Sequence, residues 1–499
     1  MKKNLYITTA IPYANAKPHI GNALDYLLAD IWKRYEEQQG KTVRFQVGTD
    51  EHGNKIAAKA TEAGVDPQTY TDQMYGNFQI LMDKVDAKYT DFIRTTDPHH
   101  VAATQYIWQK LQPYIYKGSY EGWYCMGHEA FFTDTEVEAT GGICPDHQTQ
   151  YEHVSEENYY LKTSAFTEKI REAIEKNRMQ IIPEFRKNEF LELIKNGLKD
   201  VSISRPRKSL SWGVPVPGDE NQIMYVWIDA LANYITVLGY PDKDGWQEFW
   251  PADVQVIGKD ILRFHAGIWP AMLLGLDLPL PKKLLVHGFV NIGGAKISKT
   301  VGNVIDPIEI IDDYGVDAFR YFFARHIPTQ DDGDFTWEKF ESVYNNELGN
   351  DLGNLVQRVS SMITRYQAGV VGEINRGEHD IQLFKDAMDS LEFNKALDEA
   401  WVSVRSANKY LEDVKPWQVA KNIETDPDAK DHLSDILINV SGSILQIADL
   451  IEPFMPSTAN KINTLFKDGV IYDQGVLFPK IYKHTEDPRN RTEPTKKAA

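Results

Sequence analysis

NLYITTAIPYANAKPHIGNALDYLLADIWKRY, residues 4–35, carries the two periodicities from which the fold is read. Residues 4–10 read as a strand, a proline-punctuated loop follows, and Ile20, Leu24, Leu27, Leu28, Ile31 and Tyr35 then recur at helical spacing. Val43, Phe45 and Val47 alternate through a second strand that ends at GTDEHG (48–53), before a polar segment of helical character. Strands alternating with helices predict a parallel sheet covered on both faces, with ligands bound beyond the carboxyl ends of the strands.

The alternation breaks from about 117 to 220, where Gly, Tyr and turn residues cluster, and this stretch reads as an insertion. It resumes with IMYVWID (223–229), DVQVIGKD (253–260) and LLVHGFV (284–290), each a strand-like run before a helix or a glycine turn. Beyond about 340 the pattern is helical, as in Leu352, Leu355, Val356, Val359 and Ile363, and later Leu437, Val440, Ile444 and Ile447. The expected fold class is therefore α/β: a split parallel-sheet domain (1–116 and 221–280) with a small inserted domain (117–220). A linker (281–343), an all-α helical bundle (344–483) and a polar tail (484–499) complete the expected division.

A chain of 499 residues exceeds one hydrophobic core, in line with several domains. Its net charge of −18 weighs against general affinity for polyanions, so any nucleic-acid partner must be held by particular residues. Two cysteines, Cys125 and Cys144, exclude a disulfide framework and point to a reducing cytoplasm. Pro12 interrupts the first apolar run, so no signal peptide is read, and no stretch of about 20 apolar residues suggests a membrane span.

His19, Ile20, Gly21 and Asn22 lie where the first loop enters the first helix, a place where backbone N–H groups and the helix dipole attract phosphate. Near the end of the split sheet, Gly293 and Gly294 precede Lys296, Ile297, Ser298, Lys299 and Thr300. The glycines predict a mobile loop whose two lysines close on a triphosphate. Alone, the first element reads as a structural histidine and the second as an exposed basic loop.

Together they resemble the two signatures of the class I aminoacyl-tRNA synthetases, His-Ile-Gly-His and Lys-Met-Ser-Lys-Ser. Here they stand as His19-Ile20-Gly21-Asn22 and Lys296-Ile297-Ser298-Lys299-Thr300. Within that class the chain is most similar to the methionyl-tRNA synthetase family, through TTAIPYANAKPHIGNAL, GTDEHG, YVWIDALANYI, GKDILRFHAGIWPAM and GNLVQR, in order and at similar spacing.

The resemblance implies a Rossmann-like catalytic domain and a set of site roles. His19, Gly21, Asn22, Gly258, Asp260, Lys296, Ser298 and Lys299 would bind ATP, with His19, Asn22, Lys296 and Lys299 catalytic. Asp50 would pair with the α-ammonium group of methionine, and Ile11, Tyr13, Trp227, Ala230, Leu231, Tyr234 and His265 would enclose its thioether. Asn354, Arg358 and Trp417 would read the anticodon by stacking and by hydrogen bonds to base edges.

Each cysteine is followed three residues later by histidine, giving Cys125, His128, Cys144 and His147, an acceptable tetrahedral zinc set. Many relatives carry a zinc knuckle in this insertion, and structural zinc is the expectation here. The implied partners are ATP with Mg²⁺, L-methionine and methionine tRNA, and the implied state is a monomer. Three rivals stand beside this reading: a tRNA-binding protein without catalysis, another adenylyltransferase, and a sister synthetase for leucine, isoleucine, valine or cysteine. Intact His19, Asp50 and Lys299 oppose the first, the helical region opposes the second, and the short insertion opposes the large editing domain of the branched-chain enzymes.

Overall fold

The computed structural model describes residues 4–125, 130–145, 148–296, 305–374, 376, 380–426, 428–466, 470–471 and 475–486. The chain divides into two compact bodies. One comprises 1–17, 44–78 and 89–286, and the other 18–43, 79–88 and 287–499. Chain order opens with strand β1 (Asn4–Thr9), helix α1 (Ile20–Gln38), strand β2 (Thr42–Thr49) and strand β3 (Asp91–Arg94).

In the first body, β1 to β3 join β4 (Gln180–Ile182), β5 (Val254–Gly258) and β6 (Lys283–His287) in a six-stranded sheet of order β3-β2-β1-β5-β6-β4. The registered pairs β1–β5, β2–β3 and β6–β4 are all parallel, as the alternation predicts. The chain leaves β1 toward β2 on one side and reaches β5 on the other. The β1/β5 boundary is thus the point where strand order reverses, which is where such sheets hold ligands.

Helices α2 (Pro98–Lys110) and α3 (Val226–Thr236) pack into the main core of this body. Trp108, Ile228, Leu231, Tyr234, Trp269 and Met272 meet there, all 1% exposed or less. The inserted piece is built on a long antiparallel hairpin, Ile115–Cys125 against Glu152–Leu161. One sequence reading is corrected here. IMYVWID is no strand of the parallel sheet: Ile223 and Met224 end a strand of a small antiparallel sheet, and Val226 to Asp229 already belong to α3. A short β-branched and aromatic run fits a buried helix as well as a strand, and the core partners decide.

In the second body a hairpin of β7 (Val290–Ile292) and β8 (Ala295–Lys296) turns at Gly293 and Gly294, with φ of +60° and +79°. Two residues at positive φ make the tight turn that matches strand twist, so the glycines close a two-residue hairpin rather than loosen a loop. Beyond it, α4 (Val316–Arg325), α5 (Asn354–Gln367) and α6 (Ala429–Ile451) build the helical region with a 22-residue helix, Phe393–Val414. By length and hydropathy α6 could cross a bilayer. Leu437, Val440, Ile444 and Ile447, however, are buried in the bundle, where a core helix puts them.

Asp30 on α1 is fully buried, the deepest of three buried charged residues on that helix with Lys33 and Glu36. Its carboxylate receives Arg34 Nε at 2.6 Å, Arg320 Nη2 at 2.7 Å and the Lys88 amide at 2.8 Å. Arg320, on α4 and equally buried, spends its other donors on the carbonyls of Phe454 (2.8 Å), Pro453 (2.9 Å) and Val85 (3.0 Å). A buried guanidinium is tolerated because its fork is met by acceptors on every side.

Candidate functional site

The loop after β2 is held at each residue. Asp50 donates its amide to Pro12 O (2.9 Å) and accepts from the Ala14 amide at its carbonyl (2.8 Å), which sets Tyr13 and Asp50 side by side as a bridge. Glu51 is fully buried, and its carboxylate takes Thr49 Oγ1 (2.7 Å), Arg94 Nε (2.8 Å) and Thr96 Oγ1. Trp212 donates its indole N–H to Glu51 O (2.6 Å) and accepts the Gly53 amide at its carbonyl (3.0 Å). Gly53 has φ of +116°, and a Cβ there would lie 1.9 Å from the Tyr13 hydroxyl, so only glycine lets Tyr13 lie across the loop.

Helix α3 carries four of the residues expected to enclose the thioether, Trp227, Ala230, Leu231 and Tyr234. Trp227 is half-buried and stacks on Phe264 with centroids 3.6 Å apart. Tyr234 donates its hydroxyl to His265 Nε2 at 2.7 Å, and His265 Nδ1 donates to Ile261 O at 3.0 Å. The carbonyl can only accept, so the ring proton sits on Nδ1 and Nε2 is the acceptor. Burial pushes His265 down to about 4, only partly opposed by the Ile261 carbonyl, so the imidazole is neutral at physiological pH. His265 lies in a π-helical stretch, Phe264–Ile268, of the kind that turns a side chain out of helical register at functional sites. Ala230 and Leu231 are buried beside these groups on α3. Ile11, next to Tyr13, packs where Gly48 leaves room.

Asp260 is exposed in the turn that follows β5, and Gly258 closes that strand. Because β5 lies beside β1, with Ile7 opposite Val254 and Thr9 opposite Val256, both residues stand at the strand-order reversal.

The phosphate-signature residues fall in the second body. His19 is the N-cap of α1: its Nδ1 accepts the Gly21 amide (3.1 Å), while its own amide donates to Asn22 Oδ1 (3.0 Å). A reciprocal box of this kind is ordinarily made with Ser or Thr. Using Nδ1 as the acceptor puts the ring proton on Nε2 and makes that atom a donor suited to phosphate. Gly21 leaves the box room, since a Cβ would sit 3.0 Å from the His19 ring and the ring would have to shift by a few tenths of an ångström. Lys296 pairs with Asn291 in β8. Ser298, Lys299, Ile297 and Thr300 lie outside the described residues.

At the start of α5, Asn354 is exposed and Arg358 holds its guanidinium 5.2 Å over the Trp417 ring while pairing with Glu412 at 2.7 Å. The three expected anticodon readers therefore gather at one place, directly after a π-helical stretch (Tyr344–Gly353). In the insertion, Cys125 and Cys144 are fully buried in one small cluster with Val137 and Tyr151. His128 and His147 lie outside the described residues, and no group of three candidate metal ligands occurs among the described residues.

Sequence reading missed three buried groups. Asp229 on α3 receives His52 Nδ1 at 2.7 Å and His100 Nε2 at 3.0 Å, and His100 also contacts Thr236 Oγ1 at 2.7 Å. Burial raises the Asp229 carboxyl, but the facing histidines more than offset this and hold it at about 2. The only available signal was the histidine in GTDEHG two residues after Asp50, which carried no partner in the sequence.

Comparison with known proteins agrees across both bodies. Residues 5–156 and 146–360 match the family described as tRNA synthetases class I (M), and 366–473 match the anticodon binding domain of methionyl tRNA ligase. The methionine–tRNA ligase of Caldanaerobacter subterraneus subsp. tengcongensis is 41% identical over 96% of this chain and 79% of its own. That of Brucella melitensis is 40% identical over 92% and 91%. A crystal structure of Mycobacterium tuberculosis methionyl-tRNA synthetase bound by methionyl-adenylate superposes with a TM-score of 0.89 at 34% identity, covering 96% of this chain and all of that one. With a family match that runs from the first strand into the helical region, the chain belongs to the class I tRNA synthetases, among the methionine–tRNA ligases.

Proposed function

We infer that the chain activates methionine with ATP to methionyl-adenylate and transfers the aminoacyl group to the 3′ end of methionine tRNA. The observation that carries this reading is one chain matching both a methionine-type catalytic model and a methionyl anticodon-binding model. In the first step the methionine carboxylate attacks the α-phosphate and pyrophosphate leaves; in the second the tRNA's terminal ribose hydroxyl takes the aminoacyl group. No protein nucleophile is needed, so rate enhancement comes from orientation and from stabilising phosphate charge. Magnesium enters with the triphosphate as part of the substrate.

Within this reading Asp50 pairs with the α-ammonium group, and the loop that fixes its backbone supports the role. Ile11, Tyr13, Trp227, Ala230, Leu231, Tyr234 and His265 surround the thioether, a set in which aromatic faces favour polarizable sulfur. His19, Gly21, Asn22, Lys296, Ser298 and Lys299 serve the phosphates, supported by the Nε2 donor that the His19 cap creates. Gly258 and Asp260 serve the ribose. Residues 117–220 act as the connective insertion and 344–483 as the anticodon-binding region, with Asn354, Arg358 and Trp417 as readers. The enzyme works in the cytoplasm, where its two cysteines stay reduced.

ATP–pyrophosphate exchange across the amino acids tests the reading. Exchange with methionine, and none above a few per cent with leucine, isoleucine, valine or cysteine, is expected; exchange fastest with another amino acid would refute it. We further propose structural zinc at Cys125, His128, Cys144 and His147, supported by two thiols sharing one buried cluster. Metal analysis of chelator-free protein should find about one zinc per chain, and a stoichiometry near zero would end the idea.

A further inference from the structure

Asp229 is 1% exposed, carries a charge, and belongs to none of the roles above. A buried carboxylate is costly unless charge-assisted hydrogen bonds satisfy it, and both of its oxygens are met by histidines from separate elements: His52 in the loop after β2 and His100 on α2. One helical turn later, Asn233 accepts from Gln46 Nε2 of β2 at 2.8 Å, and Gln46 is fully buried too. Asp229 and Asn233 stand four apart and share one face of α3, so this face is fastened to β2 and to the loop at its end. Trp227, Ala230, Leu231 and Tyr234 are carried by the same helix, and Asp50 lies two residues before His52.

We propose that Asp229 is a positioning residue that, through His52, locks the loop bearing Asp50 to the helix bearing the side-chain pocket, so that the ammonium end and the thioether end of the amino acid are read by one rigid unit. The inference rests on the methionine reading of this site. His52 is further confined by its edge-on contact with Trp212, at 5.5 Å between centroids, so the ring has one place from which to donate. Breaking the lock leaves each half of the site intact but lets the spacing between them drift. Drift of this kind weakens binding of a substrate that must touch both halves. ATP, whose contacts lie elsewhere, does not sense it.

The test is methionine-dependent ATP–pyrophosphate exchange on the full chain with Asp229→Asn, His52→Ala and His52→Asn, alongside thermal melting. Asp229→Asn and His52→Ala are expected to raise KM for methionine about tenfold with KM for ATP within about twofold of the parent. The asparagine amide nitrogen of His52→Asn stands close to where Nδ1 stood, and this variant should recover most of the methionine affinity. A His52→Asn variant as impaired as His52→Ala overturns the proposal. So does a KM for methionine that is unchanged, or that rises in step with KM for ATP while Tm falls. If Asp229→Asn does not fold, the two His52 variants decide the matter. Failure of the parent enzyme to exchange with methionine would count against the function, not against the lock.

Discussion

Replacing His19 by asparagine should slow methionine-dependent ATP–pyrophosphate exchange by about two to three orders of magnitude, the cost of losing one donor aimed at developing phosphate charge. The melting temperature should stay within about 2 °C of the parent, because asparagine is a preferred N-cap and its Oδ1 can take over the Gly21 amide that Nδ1 now receives. What asparagine cannot supply is the Nε2–H on the far side of the ring. His19→Ala serves as the control: it should lose the cap as well, melt lower by a few degrees, and be no slower than the asparagine variant. If His19→Asn exchanges within about threefold of the parent, the histidine is a cap and nothing more, and the phosphate role falls.

The largest effect on stability is expected at Arg320. Replacing it by methionine removes three hydrogen bonds and an ion pair at once, leaving Asp30 with Arg34 and Lys88 but stranding the carbonyls of Phe454, Pro453 and Val85 in the core. Breaking one side of a buried pair costs about 3–5 kcal/mol. In a body of this size that corresponds to a fall of about 10 °C in the midpoint of its unfolding transition. Arg320→Lys should recover little, since an ammonium cannot span three carbonyls and a carboxylate as the planar fork does. Calorimetry would decide it: a midpoint within about 2 °C of the parent for Arg320→Met would mean that the network is incidental.

How far the molecule could be read beforehand depended on the range of the interactions involved. Alternation of Val43, Phe45 and Val47 and the helical stripe of α1 are local patterns, and they gave the right elements because burial on one face leaves a period in the residues. The spacing of four that puts Asn354 and Arg358 on one face of α5 is a local pattern too. Arg320, by contrast, sits in a run of aromatic residues where a lone charge reads as the solvent side, and only carbonyls more than a hundred positions away make it a core residue. Asp229 was hidden likewise, with one histidine 177 positions away and the other 129. The WID segment misread as strand shows the limit from the other side, since its apolar run is too short to have a period. Gly293 and Gly294 mark a turn in any reading, but whether a glycine pair slackens or tightens the chain depends on strand pairing that lies outside the pair itself.

The uncharged imidazole of His265 has a consequence for cells whose interior acidifies. A ring that gains a proton only near pH 4 goes on accepting the Tyr234 hydroxyl at pH 6 as it does at pH 8, so the polarity of that contact never inverts within a survivable range. The contact proposed to face the thioether is therefore not what would change KM for methionine between pH 8 and pH 6.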